Sequence, residues 1–292
     1  MIQLFFHTTT LRIKQALTLL LFFWGTVASA KYINLNYAHH YEWSSSPAGQ
    51  ILVGKLKVSN LGNDMAKEVK PRIQLFSEVW EGDSRELLPS QESIWEYGLT
   101  FLPPENVVKG VVFLRLLVSY QSEVGGSYSS VSAFPVQFGE DTVGPSLEVR
   151  GGLVKNNDEK IHGEWPFFLE IQNNGSEKLN LKFSSLVPKE MSAEFDSTPR
   201  LSLAPRGLKK ISGVLQNRGA LGESTYFSLL FVGARSQEGG LYETWVPLLV
   251  KVTERDLDFP TRWSWALYLG VGFLLIGGLI FFYRQILIRK SL

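Results

Sequence analysis

The sequence predicts an all-β protein made of two tandem β-sandwiches followed by one C-terminal transmembrane helix. Three observations lead to this prediction. Short runs of alternating apolar and polar residues are separated by clusters of Gly, Asn and Pro, which is typical of half-buried antiparallel strands. Two of these runs repeat at a fixed distance along the chain. An uncharged apolar segment of 21 residues, residues 263–283, lies near the C-terminus.

The alternating runs indicate an internal repeat. Residues 51–60 and residues 167–172 each place apolar side chains on one face and polar side chains on the other, and each run stops at a turn rich in Asn and Gly. Four positions recur 113 residues apart: Leu56, Val58, Asn60 and Gly62 as Leu169, Ile171, Asn173 and Gly175. A duplicated unit of about 110 residues explains this spacing. We therefore predict one sandwich over residues 31–143 and a second over residues 144–253.

The N-terminal segment predicts a signal peptide. Arg12 and Lys14 precede an uncharged stretch that ends in Ala28-Ser29-Ala30, a small-residue site of the kind that signal peptidase cleaves. The apolar part of this stretch, about 12 residues, is too short to cross a bilayer. We therefore expect residues 1–30 to be the signal peptide.

Residues 263–283 predict a transmembrane helix, because at 1.5 Å per residue they extend about 30 Å, the thickness of the hydrocarbon core. Residues 254–262 are a short linker before it. The last nine residues, 284–292, contain three basic and no acidic side chains, as expected of a cytoplasmic tail. We therefore expect a single-pass protein of the bacterial inner (plasma) membrane, with a periplasmic or extracellular ectodomain and a cytoplasmic C-terminus.

Composition excludes several classes of protein. The chain has no cysteine, so disulfides, thiolate metal sites and cysteine nucleophiles are excluded. An exported protein without cysteine is commoner in bacteria, which is why we expect a bacterial envelope. Residues 31–262 contain 24 basic and 28 acidic residues, and this acidic balance argues against nucleic acid as a partner.

No sequence motif indicates catalysis, a cofactor or a metal site. His39 and His40 are adjacent on a predicted strand and point to opposite faces, so they do not chelate together, and we expect both to be exposed. The sequence has no G-x-S-x-G nucleophile elbow, and no Gly-rich phosphate loop opens a helix. We therefore expect a non-enzymatic protein without cofactor or metal.

The motifs of the predicted strands and turns resemble known Ig-like modules. In the first unit these are V-S-N-L-G at residues 58–62, then residues 66–69, 102–104 and 120–130; in the second they are Asn174-Gly175, Pro188 and residues 203–205 and 222–227. The first set is similar to bacterial and archaeal cell-adhesion-related Ig-like modules, and the second resembles the Ig-like folds of pilus-assembly chaperones. The layout as a whole is similar to that of WxL-interacting surface proteins. The resemblance implies tandem Ig-like β-sandwiches and a role in adhesion or assembly.

A long acidic insertion in the first unit is the candidate partner site. Residues 77–98 carry six acidic residues, one basic residue and two tryptophans, and the second unit has no counterpart. Aromatic anchors and charge are the two ingredients of an interface. The predicted site consists of Trp80, Glu81, Asp83, Trp95 and Glu96. The alternative is that both tryptophans pack on the sandwich.

Residues 111–120 and residues 225–232 are apolar on both faces of the predicted strands. One face belongs in a core, and the other needs a second cover. Packing between the modules and packing against a partner protein are the two alternatives.

These features together predict a non-enzymatic, membrane-anchored envelope protein that binds or scaffolds an envelope or surface protein or a glycan. The first alternative is a tethered chaperone-like factor that assembles a pilus or surface subunit by edge-strand pairing. An envelope hydrolase is the third hypothesis. The sequence leaves the oligomeric state open.

Overall fold

A computed structural model describes residues 31–253, apart from residues 47–48, 102–108, 124, 140–146, 155–162, 197–199, 222–223 and 238–239. The described residues form sixteen β-strands and no α-helix, which confirms the all-β prediction. Within these ranges no helix is long and apolar enough to cross a membrane. The predicted signal peptide, linker, transmembrane helix and tail lie outside the described residues, as does the predicted boundary between the sandwiches.

The N-terminal module comprises the eight strands that precede residues 140–146. They are β1 (Leu35–Ser46), β2 (Gly49–Asn60), β3 (Ala66–Leu75), β4 (Glu78–Glu81), β5 (Arg85–Leu87), β6 (Glu92–Phe101), β7 (Lys109–Ser122) and β8 (Ser127–Phe138). Strands β1, β2 and β6 form one antiparallel sheet, and β3 pairs with β4, β5 and β7 while β8 pairs with β7 in the other. The core between the sheets joins Leu56 and Trp95 to Ile73 and Leu116.

The C-terminal module comprises the eight strands that follow. They are β9 (Leu147–Leu153), β10 (Glu164–Asn173), β11 (Leu179–Leu186), β12 (Met191–Phe195), β13 (Arg200–Leu203), β14 (Leu208–Asn217), β15 (Thr225–Arg235) and β16 (Gly240–Lys251). One sheet has the order β12-β14-β10-β9, and the other contains β13-β11-β15-β16. Phe167 and Ile171 of the first sheet share a core with Leu181 and Val232 of the second.

The predicted faces of the two repeated strands are confirmed. Leu56 and Val58 of β2 are fully buried, whereas Lys55, on the opposite face of the strand, is exposed. Phe167 and Ile171 of β10 are likewise fully buried. Side chains alternate across a strand, so period-two hydrophobicity fixes which face meets the core.

A buried asparagine organises the turn after β2. The Asn60 side-chain amide donates to the carbonyls of Asp64 at 2.8 Å and Leu87 at 3.1 Å. Its Oδ1 accepts the N–H of Gly62 at 3.0 Å. These three bonds join the end of β2 to the turn and to β5 on the opposite sheet, so the side chain closes one end of the sandwich.

The corresponding residue of the C-terminal module, Asn173, makes the same set of bonds. Its amide donates to the carbonyls of Glu177 at 2.7 Å and Ala204 at 3.0 Å, and its Oδ1 accepts the N–H of Gly175 at 3.0 Å. Asn60 and Asn173 are both fully buried. The two modules therefore repeat one buried polar network, as expected of a duplicated unit.

The proline turns of the two modules also correspond. Residues 88–91 and residues 204–207 both have proline second and a residue with positive φ third, Ser90 at 63° and Arg206 at 57°. In each turn the N–H of the fourth residue donates to the carbonyl of the first at 3.0 Å. Proline followed by a positive φ defines a type II turn.

The modules share one continuous sheet. Strand β16 pairs in parallel with β7 through Gly240, Leu241 and Tyr242. The resulting nine-stranded sheet has seven strands in the order β13-β11-β15-β16-β7-β3-β4, with β5 and β8 paired to β3 and β7 off this path. Because β7 belongs to one module and β16 to the other, this pairing places the two sandwiches side by side rather than end to end.

His39 departs from the sequence prediction. His40 is exposed as expected, but the His39 ring stacks on Phe134, with centroids 4.7 Å apart, and its Nε2 hydrogen-bonds the Tyr97 hydroxyl. Burial, assisted by the nearby charge of His40, lowers the pKa of His39 to about 4. The imidazole is therefore neutral at neutral pH and belongs to the aromatic layer of the N-terminal module.

Removing either buried asparagine side chain is predicted to destabilise the protein. Asn60→Ala or Asn173→Ala leaves two carbonyls and one N–H without their partner, which costs about 2–4 kcal/mol of unfolding free energy. Asn180→Ala, at an exposed position of β11, is the control and changes it by less than about 0.5 kcal/mol. Urea denaturation measures all three variants. Equal small effects would show that the two networks do not support the turns.

The His39 environment predicts a pH dependence. The pKa of His39 is about 4 in the folded protein, against its ordinary value of 6.5. Between these two pH values the unfolded chain therefore binds a proton that the folded chain does not bind. This contribution to stability is complete above pH 6.5 and is lost as the pH falls towards 4. His39→Gln keeps an amide for the Tyr97 hydroxyl but does not titrate, so its thermal midpoint falls less between pH 7 and pH 4.5. Asn36→Gln, at an exposed position of the same strand, should retain the wild-type slope, and a wild-type slope in His39→Gln would refute the assignment.

Candidate binding surfaces at the module junction

The second apolar face of β7 is covered by the other module. Phe113 and Leu117 point away from the N-terminal core and pack with Leu229 and Phe231 of β15. Val131 of β8 joins this group, and Leu229 and Phe231 are at most 1% exposed. Of the two alternatives that the sequence left open for this face, the structure shows packing between modules.

A shielded ion pair fixes how the modules meet. Arg115 Nη2 donates to Glu243 Oε1 at 3.0 Å and to Ser184 Oγ at 2.9 Å, and the guanidinium lies 4.3 Å from the centroid of the Phe231 ring. Glu243 Oε2 accepts the backbone N–H of Phe113 at 2.9 Å. The Arg115 and Glu243 side chains are only 20% and 18% exposed, so the pair is held away from bulk water. Removing either partner while the modules stay together would leave the other charge uncompensated and poorly solvated at the junction.

A second polar contact crosses the junction from β8. Ser129 Oγ donates to Glu190 Oε2 at 2.8 Å and accepts the backbone N–H of Lys189 at 2.6 Å. The Ser129 residue is buried, so both bonds are made out of water. The two modules are therefore held together at both ends of the apolar cluster.

A groove of about 500 Å³ opens beside this second contact, between the end of β7 and the start of β15. We call it the tyrosine groove. Aromatic rings and hydroxyl groups characterise its lining: Tyr32, Tyr120, Tyr128, Tyr226, Ser130 and Thr225. Tyrosine and serine are the residue types that binding loops use most, because rings supply rigid contact area and hydroxyls supply adaptable hydrogen bonds.

Tyr120 and Tyr226 of the groove are held in place, and burial keeps both of them uncharged. The rings of Tyr120 and Tyr128 stack with centroids 5.7 Å apart, and the Tyr226 hydroxyl accepts the N–H of Leu221 at 3.0 Å. Burial raises the pKa of Tyr120 to about 12 and also raises the pKa of Tyr226. The groove therefore offers neutral hydroxyls on a fixed aromatic surface.

The start of the described chain forms one wall of the groove. Lys31 Nζ lies 2.6 Å from Glu123 Oε2 and 3.5 Å from Asp64 Oδ1. The backbone carbonyl of Tyr32 accepts the N–H groups of Asn63 and Asp64. Contacts with the turn after β7 and with the turn after β2 thus place Tyr32 at the groove.

The predicted tryptophan site lies in the N-terminal module, away from this groove. Residues 77–98 form strands β4 and β5 and the first part of β6 rather than a long loop. Trp95 is 1% exposed in the core, and its Nε1 donates to the carbonyl of Asp83 at 3.0 Å. Trp80 is half-buried and packs on Tyr97, with centroids 5.7 Å apart. Trp95 therefore packs as the alternative prediction proposed, and of the two rings only that of Trp80 retains an exposed part.

The acidic residues of the predicted site are neutralised by cations on neighbouring strands. Side-chain hydrogen bonds from basic residues lower the pKa values of the three carboxylates. The ion pairs are Glu81 with Lys70 at 2.8 Å, Asp83 with Arg85 at 2.8 Å and Glu96 with Lys55 at 2.8 Å. The expected negative surface is thus largely balanced. The binding role of the five residues stays a prediction.

The tyrosine groove was not predicted from the sequence. Residues 120–130 contain two of its tyrosines and four serines, and this composition was the available signal. Tyr226 and Thr225 follow about 100 residues later, and nothing local indicates that they meet the first group. Among the described residues, no group of three or more His, Asp or Glu side chains is arranged to hold a metal ion.

Comparison with known proteins shows no family. No protein-family model matches the chain, and no curated protein matches it. Among solved structures, PapD-like domain 7 of human CEP192 is 16% identical over 40% of this chain and 92% of that one, with a TM-score of 0.31. The GAE domain of GGA2p from Saccharomyces cerevisiae is 17% identical over 38% and 94%, with a TM-score of 0.28. A protein of unknown function from Porphyromonas gingivalis W83 is 14% identical over 74% and 99%, with a TM-score of 0.30.

The described strands establish the two sandwiches by themselves, and these neighbours, all with TM-scores below 0.5, add no argument for the fold. Their low TM-scores carry no argument about function. No comparison bears on the layout of WxL-interacting surface proteins, which stays a prediction.

The different burial of the two tryptophans predicts different costs of removal. Trp95→Ala empties a packed core site and lowers the unfolding free energy by about 3–5 kcal/mol. Trp80→Ala removes a half-buried ring and costs about 1–2 kcal/mol. Val79→Ala, at an exposed position next to Trp80, serves as the control. Urea denaturation gives the three values, and an equally small loss for both tryptophans would contradict the core position of Trp95.

Proposed function

We propose that this chain is a non-enzymatic, membrane-anchored envelope protein whose paired sandwiches bind a protein or glycan partner through the tyrosine groove. The observation that carries the proposal is the groove itself. It is concave, it is lined by stacked neutral tyrosines and hydroxyls, and it lies between two modules that are held in one arrangement. A preorganised surface of this kind loses little conformational freedom on binding.

The position of the groove along the chain supports a partner at the membrane. Thr225 at the edge of the groove pairs with Lys251, the last residue of β16. Residues 254–262 separate this end from the predicted transmembrane segment and extend at most about 32 Å. In the proposed topology the groove therefore opens near the membrane surface, where an envelope partner can reach it.

Site-specific photo-crosslinking in intact bacterial cells tests this function. A photoreactive amino acid replaces Thr225, an exposed residue of the groove, or Gln172, an exposed residue of β10 that serves as the control. We expect one discrete adduct from position 225 and none from position 172. A folded surface protein or a glycan in that adduct supports the proposal. An unfolded surface subunit would favour the assembly factor instead.

A blocking substitution provides the matched test in vitro. Thr225→Trp fills the groove and should weaken capture of the identified partner at least about tenfold, whereas Gln172→Trp should leave it unchanged. Both variants should keep the wild-type thermal midpoint. Equal capture by the two variants, or turnover of an envelope polymer by the purified full-length chain, would refute the proposal.

A further inference from the structure

An exposed apolar patch lies at the end of the C-terminal module where the chain leaves β16. Phe227 of β15 lies directly opposite Leu249 of β16, and these residues are 39% and 64% exposed. Leu221 and Tyr32 are also exposed, and they line the tyrosine groove together with Phe227. We call these four residues the apolar rim.

The apolar rim continues the face that joins the two modules. Phe227, Leu229 and Phe231 share one face of β15, because side chains alternate along a strand. The N-terminal module covers Leu229 and Phe231. One row further along the strand this cover ends, and Phe227 and Leu249 remain exposed. The apolar face of the junction therefore extends beyond the contact between the modules.

The apolar rim is too small to hold a second copy of the chain by itself. Its four side chains, which are between 39% and 64% exposed, present on the order of 400 Å². Each partner of a stable protein complex buries about 800 Å², roughly twice this area. Apolar patches of the smaller size mark contact surfaces, and a membrane is one of the partners that they serve.

The course of the chain selects the membrane as the partner. Leu249 is two residues before Lys251, the last residue of β16, so it lies about 7 Å from the end of the strand. Residues 254–262 extend at most about 32 Å before the predicted transmembrane segment begins. Such a tether holds the module near the bilayer at a high effective concentration, so a small patch is enough for contact.

The side chains around the rim suit the boundary between water and lipid tails. Tyr32 combines an aromatic ring with a hydroxyl, and such rings are enriched at membrane interfaces. Lys251 is exposed in the next row of the same face, and its long apolar stem allows the ammonium to reach lipid phosphates. The nearby carboxylates of Asp64 and Glu123 are paired with Lys31. Repulsion between the rim and anionic lipids is therefore small.

We propose that the apolar rim docks on the bilayer surface, with Phe227 and Leu249 inserted at the headgroup boundary and Lys251 at the level of the phosphates. This inference rests on the membrane anchor of the proposed function and adds an orientation to it. The mouth of the tyrosine groove then lies at the membrane–water interface, so its partners are molecules that are held at the membrane surface.

Site-specific fluorescence in proteoliposomes tests the docking. The chain has no cysteine, so one introduced cysteine carries a single environment-sensitive NBD label. The full-length chain is labelled at Leu249→Cys, at Leu275→Cys in the predicted transmembrane segment, or at Val154→Cys, an exposed residue after β9 that serves as the control. The vesicles consist of phosphatidylethanolamine and phosphatidylglycerol, with a nitroxide quencher attached to the lipid near the headgroup or deep in the tail.

The three positions separate docking from anchoring. We expect the shallow quencher to reduce emission at position 249 at least about twofold more than at position 154, and the deep quencher to reduce emission at position 275. Quenching at 275 without quenching at 249 would overturn the docking and leave the anchor intact. Quenching at neither position would overturn both. A blue-shifted label at 249 that no lipid quencher reaches would show that protein, such as a second copy, covers the rim, and this too would overturn the docking.

Substitutions in the rim provide a matched test with the label moved to Thr225→Cys. Phe227→Gln/Leu249→Gln should reduce the shallow quenching at least about twofold. Ile94→Gln/Leu208→Gln removes two similarly exposed apolar side chains elsewhere and should leave the quenching unchanged. Leu249→Gln alone replaces the first variant if its thermal midpoint is lowered. Equal quenching in the rim variant and its control would overturn the proposal.

Discussion

The second apolar face of β7 is the constraint on which the arrangement of this protein depends. A strand that is apolar on both faces cannot lie at the surface of an isolated sandwich without exposing one of them. Phe113 and Leu117 are removed from water by Leu229 and Phe231 of the other module. The parallel pairing of β7 with β16 and the ion pair of Arg115 with Glu243 both lie beside this contact. The tyrosine groove is a consequence of it, since side chains from the two modules bound it.

Local patterns predicted the strands well because their causes are local. Alternation along β2 and β10 and the repeated Asn and Gly positions depend on neighbours a few residues away, and the structure confirms the faces that they predict. Trp95, Tyr97 and Leu99 also alternate, and this signal in β6 would have placed Trp95 in the core. The interpretation of residues 77–98 as an insertion concealed this alternation. The short strands β4 and β5 and the first part of β6 depend on pairing with β2 and β3, which the segment alone does not encode.

The charge balance at the surface and the long-range contacts could not be predicted from the sequence, for a different reason. The net charge of residues 77–98 is strongly negative, but its carboxylates lie opposite Lys55 and Lys70 on strands outside the segment. The net charge of a segment therefore says little about the electrostatic potential at its surface once neighbouring strands are in place. The same holds for Arg115 and Glu243, which are 128 residues apart and meet only because β7 and β16 are neighbours. Pairing between strands of the same sheet, rather than composition, decides both cases.

The junction also has the character of a dimer interface within one chain. Strands β7 and β15 occupy corresponding positions in the two modules. The faces of these two strands that point away from their own cores pack against each other. A duplicated module with an apolar outer face has a ready partner in its own copy, as in self-complementary homodimers. The symmetry is incomplete, because β7 pairs with β16 rather than β15, and Arg115 meets Glu243 without a reciprocal pair among the described residues. Each end of the junction is consequently different: tyrosines line one end, and the ion pair of Arg115 with Glu243 lies at the other. Duplication of one fold has thus produced a groove that does not exist in a single module.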